Sequence, residues 1–233
     1  MKAIHLFFGT LVLLAMTACG VSRHTAADVN LSSVREFAFI QPHAYIVCYG
    51  DDGKGYLDPA DGRKAVDIIT TIINAERFPF SDMIPVDYDE DSSLQKWVEN
   101  FTDVDPAKID RLRVPRSLCK RIEESGHRYG IVLFSYGYVQ TVKGYQREKV
   151  TKAAQKAIDG VIQSITGISG LTNPSQNYYV SSPYGNVLYC AIIDTETDRV
   201  VHFVEEVPTL ASHPKETRDV NELLHKLLKE FIR

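Results

Sequence analysis

YGIVLFSYGYVQTV, residues Tyr129 to Val142, is a long run rich in β-branched and aromatic residues with Ser135 and Gly137 inside it, and it reads as a strand. Working outward, Val187 to Ile193 and Arg199 to Val207 form two more strand-like runs around Asp194-Thr195-Glu196-Thr197-Asp198, the pattern of a hairpin with a longer loop. Upstream, Pro115 opens a short helix whose Leu118, Cys119 and Ile122 face inward, and Gly126 ends it. Glu36 to Ile40 and Ala44 to Cys48 read as strand interrupted at Pro42. Gly50 to Gly55 is a polar turn. Asp58-Pro59, or Asp61, starts a helix that runs to about Ala75 on the stripe Ala65, Ile68, Ile69, Ile72 and Ile73.

Met83 to Val86 is expected to be a short strand. Ser92 and Gln95 have capping-box spacing ahead of Leu94, Trp97, Val98 and Phe101. Asp219, with Glu222 three residues on, is expected to cap a last helix buried through Val220, Leu223, Leu224, Leu227, Leu228 and Phe231. Helices and strands alternate, but the final strands are a hairpin. The expected class is therefore α+β: a mixed, largely antiparallel sheet with helices packed on it, ending in a β-hairpin and a C-terminal helix.

The amino-terminal segment has a different character. Lys2 is followed by an apolar run from Ile4 to Met16, then by Thr17 and Ala18 before Cys19, which is the build of a secretory leader ending at a cysteine. The run is shorter than the ~20 residues a spanning helix needs, and His5, Gly9 and Thr10 interrupt it. Met16-Thr17-Ala18-Cys19 resembles the lipobox of bacterial lipoproteins. That resemblance implies a signal peptide over residues 1–18, recognition at Met16, Thr17 and Ala18, and acyl chains on Cys19. Two or three chains anchor stably, since each buried methylene contributes about 0.8 kcal/mol. Residues 19–33 are small and polar and read as a flexible tether. Residues 34–233 are expected to be a single α+β domain with a helical insertion at about 143–182.

Composition narrows the function classes. Without the leader and its Lys2, 25 basic residues face 30 acidic ones, a net charge of −5 with both signs interspersed, which argues against nucleic acid as a partner. Cys48, Cys119 and Cys190 remain beside Cys19 and read as buried free thiols. The seven histidines lack zinc-ligand spacing and no Cys-x-x-Cys occurs, so no metal and no cofactor is expected.

Ser135 lacks the first glycine of a nucleophile elbow and sits inside a strand. Gly50, Gly53, Gly55 and Lys54 lack the spacing of a phosphate loop. Asp51 to Asp61 lacks the alternation of a calcium loop. Asp87, Asp89, Glu90 and Asp91 read as charge at a helix start, where the macrodipole favours them. His202 alternates with Val200 and Val204 and reads as a satisfied histidine on the sheet. No catalytic residues are assigned.

The stretch Glu148 to Ile168 reads as an amphipathic helix, with Val150, Ala153, Ala154, Ala157, Ile158, Val161, Ile162 and Ile165 on one face and Lys149, Lys152 and Lys156 on another. It either covers the sheet or, together with Tyr178, Tyr179 and Tyr184 in the loop that follows, docks on a partner, on another copy or on the leaflet.

Over about Val34 to Arg233 the element order resembles the periplasmic domains of the curli-secretion lipoprotein family and of outer-membrane lipoproteins that activate cell-wall synthases. The likeness lies in the opening strand and helix, in a helix leading into a strand over Arg121 to Val132, and in the hairpin Ala191 to Val201 before a terminal helix. It implies a non-enzymatic assembly or secretion component. Asp198 stands where such hairpins often carry glycine, and the helical insertion does not alternate as a membrane pore would.

The expected protein is thus lipid-anchored in the bacterial envelope at the outer membrane, facing the periplasm. It binds an envelope protein or itself. The competing classes are an envelope hydrolase, hinted at by the acidic stretches and His202, and a small-ligand-binding lipoprotein.

Overall fold

The Tyr129 run is the spine of one eight-stranded sheet in the computed structural model, which describes residues 22–76, 78–88, 90–101, 106–145, 182–208 and 211–231. The strands are β1 (Ser22–Thr25), β2 (Phe37–Ile40), β3 (His43–Tyr49), β4 (Gly55–Leu57), β5 (Phe80–Ile84), β6 (Tyr129–Gln140), β7 (Tyr184–Asp194) and β8 (Arg199–Glu206). The helices α1 (Pro59–Ala75), α2 (Ser92–Phe101), α3 (Arg116–Glu124) and α4 (Thr217–Leu227) pack on them. The order is β1-β8-β7-β6-β2-β5, with β3 continuing along β6 past β2 and β4 on the outer side of β3. β6 pairs antiparallel with β7 but parallel with β2 and β3, so the sheet is mixed and the fold α+β.

Both faces of the sheet are buried, which explains why β6 carries apolar residues at consecutive positions. Val132, Phe134 and Tyr136 point to the face covered by Leu94, Trp97 and Val98 of α2 and by Leu118, Cys119 and Ile122 of α3. Ile131 and Leu133 point to the other, covered by Ile69, Ile72 and Ile73 of α1 and by Val220, Leu223, Leu224 and Leu227 of α4.

Pro42 does more than interrupt a strand. Ala38 lies opposite Gly130 and His43 opposite Phe134, so the β2–β3 run spends one residue more than β6 over the same length. That is a bulge at Gln41-Pro42, where proline has no N–H to give a ladder. One extra residue reverses the alternation: Ala38 and Ile40 face the α2–α3 side before it, and Tyr45, with its ring 5.3 Å from Tyr136, faces that side after it. The loop after β5 secures the bulge. Val86 N–H donates to Gln41 Oε1 at 3.1 Å, and the Tyr88 hydroxyl donates to Gln41 O at 2.9 Å.

α1 begins as expected. Asp58 Oδ1 accepts from the backbone of Ala60 at 2.8 Å and of Asp61 at 3.4 Å, and Pro59 takes the first helical position. Gly62 then brings the helix against β3, since a β-carbon there would lie 2.9 Å from Ala44 O. Alanine in place of helical glycine normally gains up to about 1 kcal/mol. Here Gly62→Ala should instead lose about 1–2 kcal/mol of stability in urea unfolding, because backbone has to move; a neutral or stabilising result would mean that α1 does not abut β3.

Four expectations are corrected. The segment expected to be a tether to Ser33 is partly strand: Ser22–Thr25 pairs antiparallel with β8, Ser22 opposite Glu205, and Leu31–Ser33 is a short 3-10 turn. Its polar residues hid it because β1 is an edge strand paired with residues far along the chain. The helix at Ser92 is capped by Asp91, whose Oδ1 accepts from Ser93 N at 2.9 Å and Leu94 N at 3.3 Å. Asp219 lies inside the first turn of α4 and accepts from His213 N at 2.9 Å, tying the preceding loop rather than capping the helix. The strand expected at Met83 to Val86 is Phe80–Ile84, paired in parallel with β2.

The β7–β8 turn is held by a buried carboxylate. Arg128 donates to both oxygens of Asp194, at 2.9 and 3.0 Å, and Asp194 also accepts from Glu196 N and the Thr197 hydroxyl. Asp198 closes the turn at φ 50°, in the left-handed region where aspartate is tolerated better than most residues. This is the position at which hairpins of the families it resembles often carry glycine.

Candidate functional site

The bulge also shapes a concave surface. Among the described residues β5 pairs only with β2, and β4 only with Val47 to Tyr49 of β3, which leaves the outer edge between them without a strand partner. A groove of about 940 Å³ lies there. Its floor is aromatic: the His43 ring centre is 4.5 Å from those of both Tyr45 and Tyr88. Arg63, Lys64 and Asp67 of α1 form one wall, and Asp87 and Arg121 the other. Burial pushes the Tyr88 hydroxyl above its ordinary range, so it stays protonated and donates to Gln41 O. The groove offers ring faces and charges of both signs, the chemistry of a binding surface.

Beside it, one ligand atom each of Cys48, Asp58 and Asp61 lies within 4.8 Å of the others, a set that could hold a cation. The donors are already engaged. Asp61 Oδ2 accepts from Lys215 Nζ at 2.6 Å and from the Cys48 thiol at 3.1 Å, while Asp58 Oδ1 caps α1. Burial pushes the Asp61 carboxyl up, but the Lys215 ammonium and the Cys48 thiol outweigh it and hold the carboxyl below its usual range. Burial, then the adjacent Asp61, pushes the Cys48 thiol up to about 12. The ammonium fills the role that a metal would have, so the set does not fit one, and the group works as a clasp joining β3, α1 and the loop before α4.

Cys48 was expected to be a buried free thiol; it is free but only half-buried, unlike the buried Cys119 and Cys190, and the sequence reading missed this clasp. Its one local signal is the i, i+3 spacing of Asp58 and Asp61 in the first turn of α1. Cys48 should react with iodoacetamide at pH 8 at least about tenfold more slowly than an exposed thiol, because the thiolate is the nucleophile. A rate equal to that of free cysteine, followed by mass spectrometry, would contradict the arrangement.

His202, 1% exposed, has its Nδ1 2.7 Å from Thr25 Oγ1 and its Nε2 3.0 Å from Glu230 Oε1. It is a satisfied histidine that links β1, β8 and the end of the chain, as the alternation suggested. The hydrogen bond to His202 holds the Glu230 carboxyl below its usual range. Asp91 caps α2 and accepts from the Ser117 hydroxyl at 2.8 Å, on the opposite face of the sheet. The Asp87 to Asp91 stretch and His202 are therefore not brought together. Ser135 is buried and donates to Asn186 Oδ1 at 2.8 Å, a packed strand residue.

Met16, Thr17, Ala18 and Cys19 lie outside the described residues, as do Lys149, Lys152, Lys156, Ile158, Val161, Ile162, Ile165, Tyr178 and Tyr179. Tyr184 is described. It opens β7 opposite Val139, half-buried with its ring 4.9 Å from that of His213. Among the described residues no helix is long and apolar enough to cross a membrane.

No protein-family model matches the chain, and no curated protein matches it. Among solved structures it is similar to the PelC dodecamer from Paraburkholderia phytofirmans, at 11% identity and a TM-score of 0.39, over 91% of this chain and 97% of that one. It is also similar to a DUF4136 family protein from Bacteroides thetaiotaomicron, at 10% identity and a TM-score of 0.31, over 91% and 95% of the two chains.

Proposed function

We propose that this chain is a bacterial lipoprotein, acylated at Cys19 and held at the outer membrane facing the periplasm, that acts without catalysis by binding another envelope protein or a second copy of itself. The observation that carries the reading is the lipobox-like Met16-Thr17-Ala18-Cys19 standing directly before a strand that is zipped into the sheet, so that anchor and domain are one mechanical unit. The aromatic, mixed-charge groove favours a second reading, a small-ligand-binding lipoprotein.

One comparison of wild type with Cys19→Ala tests the main reading. In cells fed an alkyne fatty acid, wild type should carry the label and fractionate with membranes, and Cys19→Ala should be unlabelled and soluble. Cross-linking in native envelopes should then capture one reproducible partner, or the protein itself, with wild type alone. An unlabelled, soluble wild type overturns the anchor, and a labelled protein that captures nothing overturns the binding role.

A further inference from the structure

The link between the anchor and the domain is short. Ser22 is the third residue after Cys19, and three residues of extended chain span at most about 10 Å. Arg23, the next residue, is fixed to the C-terminal helix: its guanidinium donates to Lys226 O at 3.1 Å and lies 3.7 Å from Glu230. Whatever plane holds Cys19 therefore passes close to the exposed face of α4.

That face is basic in an acidic protein. Arg23, Arg218, Lys226 and Lys229 stand there against Glu222 and Glu230, while the whole chain carries −4. Lys226 pairs with Glu222 at 2.8 Å and Arg23 with Glu230, and the buried Glu206 lies among Arg23, Lys226 and Lys229, so four basic side chains meet three acidic ones and one positive charge is in excess. Arg218, Asn221, Glu222, His225, Lys226 and Lys229 line an open depression of about 530 Å³. His225 Nε2 lies 3.5 Å from Oε1 of Glu76, the residue that ends α1.

We infer that the exposed face of α4, with Arg23 beside it, rests on the anionic lipid headgroups of the leaflet that holds the Cys19 acyl chains. The inference rests on the lipoprotein reading above and adds an orientation to it. Near an anionic leaflet each basic side chain contributes about 1 kcal/mol, too little to bind alone but enough to orient a domain that is already tethered.

Tryptophan fluorescence of the acylated full chain in vesicles tests this, because the native Trp97 is 3% exposed and supplies a constant background. The vesicles contain phosphatidylethanolamine, about 30% phosphatidylglycerol and phosphatidylcholine bearing a nitroxide on its headgroup. Asn221→Trp should be quenched about twofold, and Glu196→Trp, in the β7–β8 turn at the other end of β8, should not. Replacing phosphatidylglycerol with phosphatidylcholine, adding about 1 M salt, or adding Arg218→Gln with Lys229→Gln should each reduce the quenching at 221. Equal emission changes at 221 and 196 in protein that floats with the vesicles would overturn the orientation alone. Wild type that fails to float, as Cys19→Ala should, would overturn the anchor and the orientation with it.

Discussion

Phe134→Ala should lower the unfolding free energy by about 3–5 kcal/mol, the range for removing a fully buried aromatic ring. Phe134 has no exposed surface and lies mid-way along β6, its ring 5.7 Å from that of Trp97 on α2. Truncation leaves a cavity between the central strand and a helix that meets the sheet through a few large side chains, so collapse can fill little of it. For a domain of this size each kcal/mol shifts the melting temperature by about 2–4 °C, giving a drop on the order of 10 °C. Phe134→Leu, which keeps most of the volume, should cost less than about 1.5 kcal/mol. Calorimetry showing both variants within about 1 kcal/mol of wild type would mean that α2 does not pack on β6.

Arg128→Ala should lower stability by about 2–3 kcal/mol at neutral pH. It strips the bidentate partner from Asp194, a carboxylate with 1% exposure. The remaining donors, Glu196 N–H and the Thr197 hydroxyl, do not neutralise a charge, and the guanidinium's own partial exposure keeps the loss at the lower end for buried pairs. Burial raises the Asp194 carboxyl, but Arg128 and the turn donors outweigh it, so in the folded protein it lies below its usual range. A depressed carboxyl contributes stability above its unfolded pKa of about 3.9 and loses it as pH falls through the folded value. The gap between wild type and Arg128→Ala should therefore be full at pH 7 and narrow below about pH 4. Urea titrations at several pH values measure it, and a gap independent of pH would mean that the pair is not ionic.

Local features of the fold were legible in the sequence and long-range ones were not. α1 and α3 could be read because their caps, stripes and terminators lie within a few residues of one another: Asp58 and Pro59 at one start, Gly126 with φ 83° at the other end. The β7–β8 hairpin could be read because its partners are neighbours in the chain. The parallel pairing of β6 with β2 and β3 has no local signature, and neither does the reversal of alternation at Gln41-Pro42. β1 was missed because four polar residues at an edge look like a tether until the strand beside them is known. Of the site, the satisfied state of His202 followed from its alternation, whereas the Cys48, Asp61 and Lys215 clasp joins residues 154 positions apart and could be seen only in three dimensions.

The antiparallel zipper of β1 on β8 sets how the domain responds to force. Tension on the chain before Ser22 runs along β1, so the rungs to β8, the Ala26 N–H bond to Val201 O and the Arg199–Asp28 ion pair share the load in shear instead of failing one after another. Should they part, the next strand held in the sheet is β2 at Phe37, and the freed residues 22 to 36 would add about 50 Å of extended chain. With the proposed acylation at Cys19, a short connection to the membrane would thereby hold a reserve of slack that a mechanical pull could release.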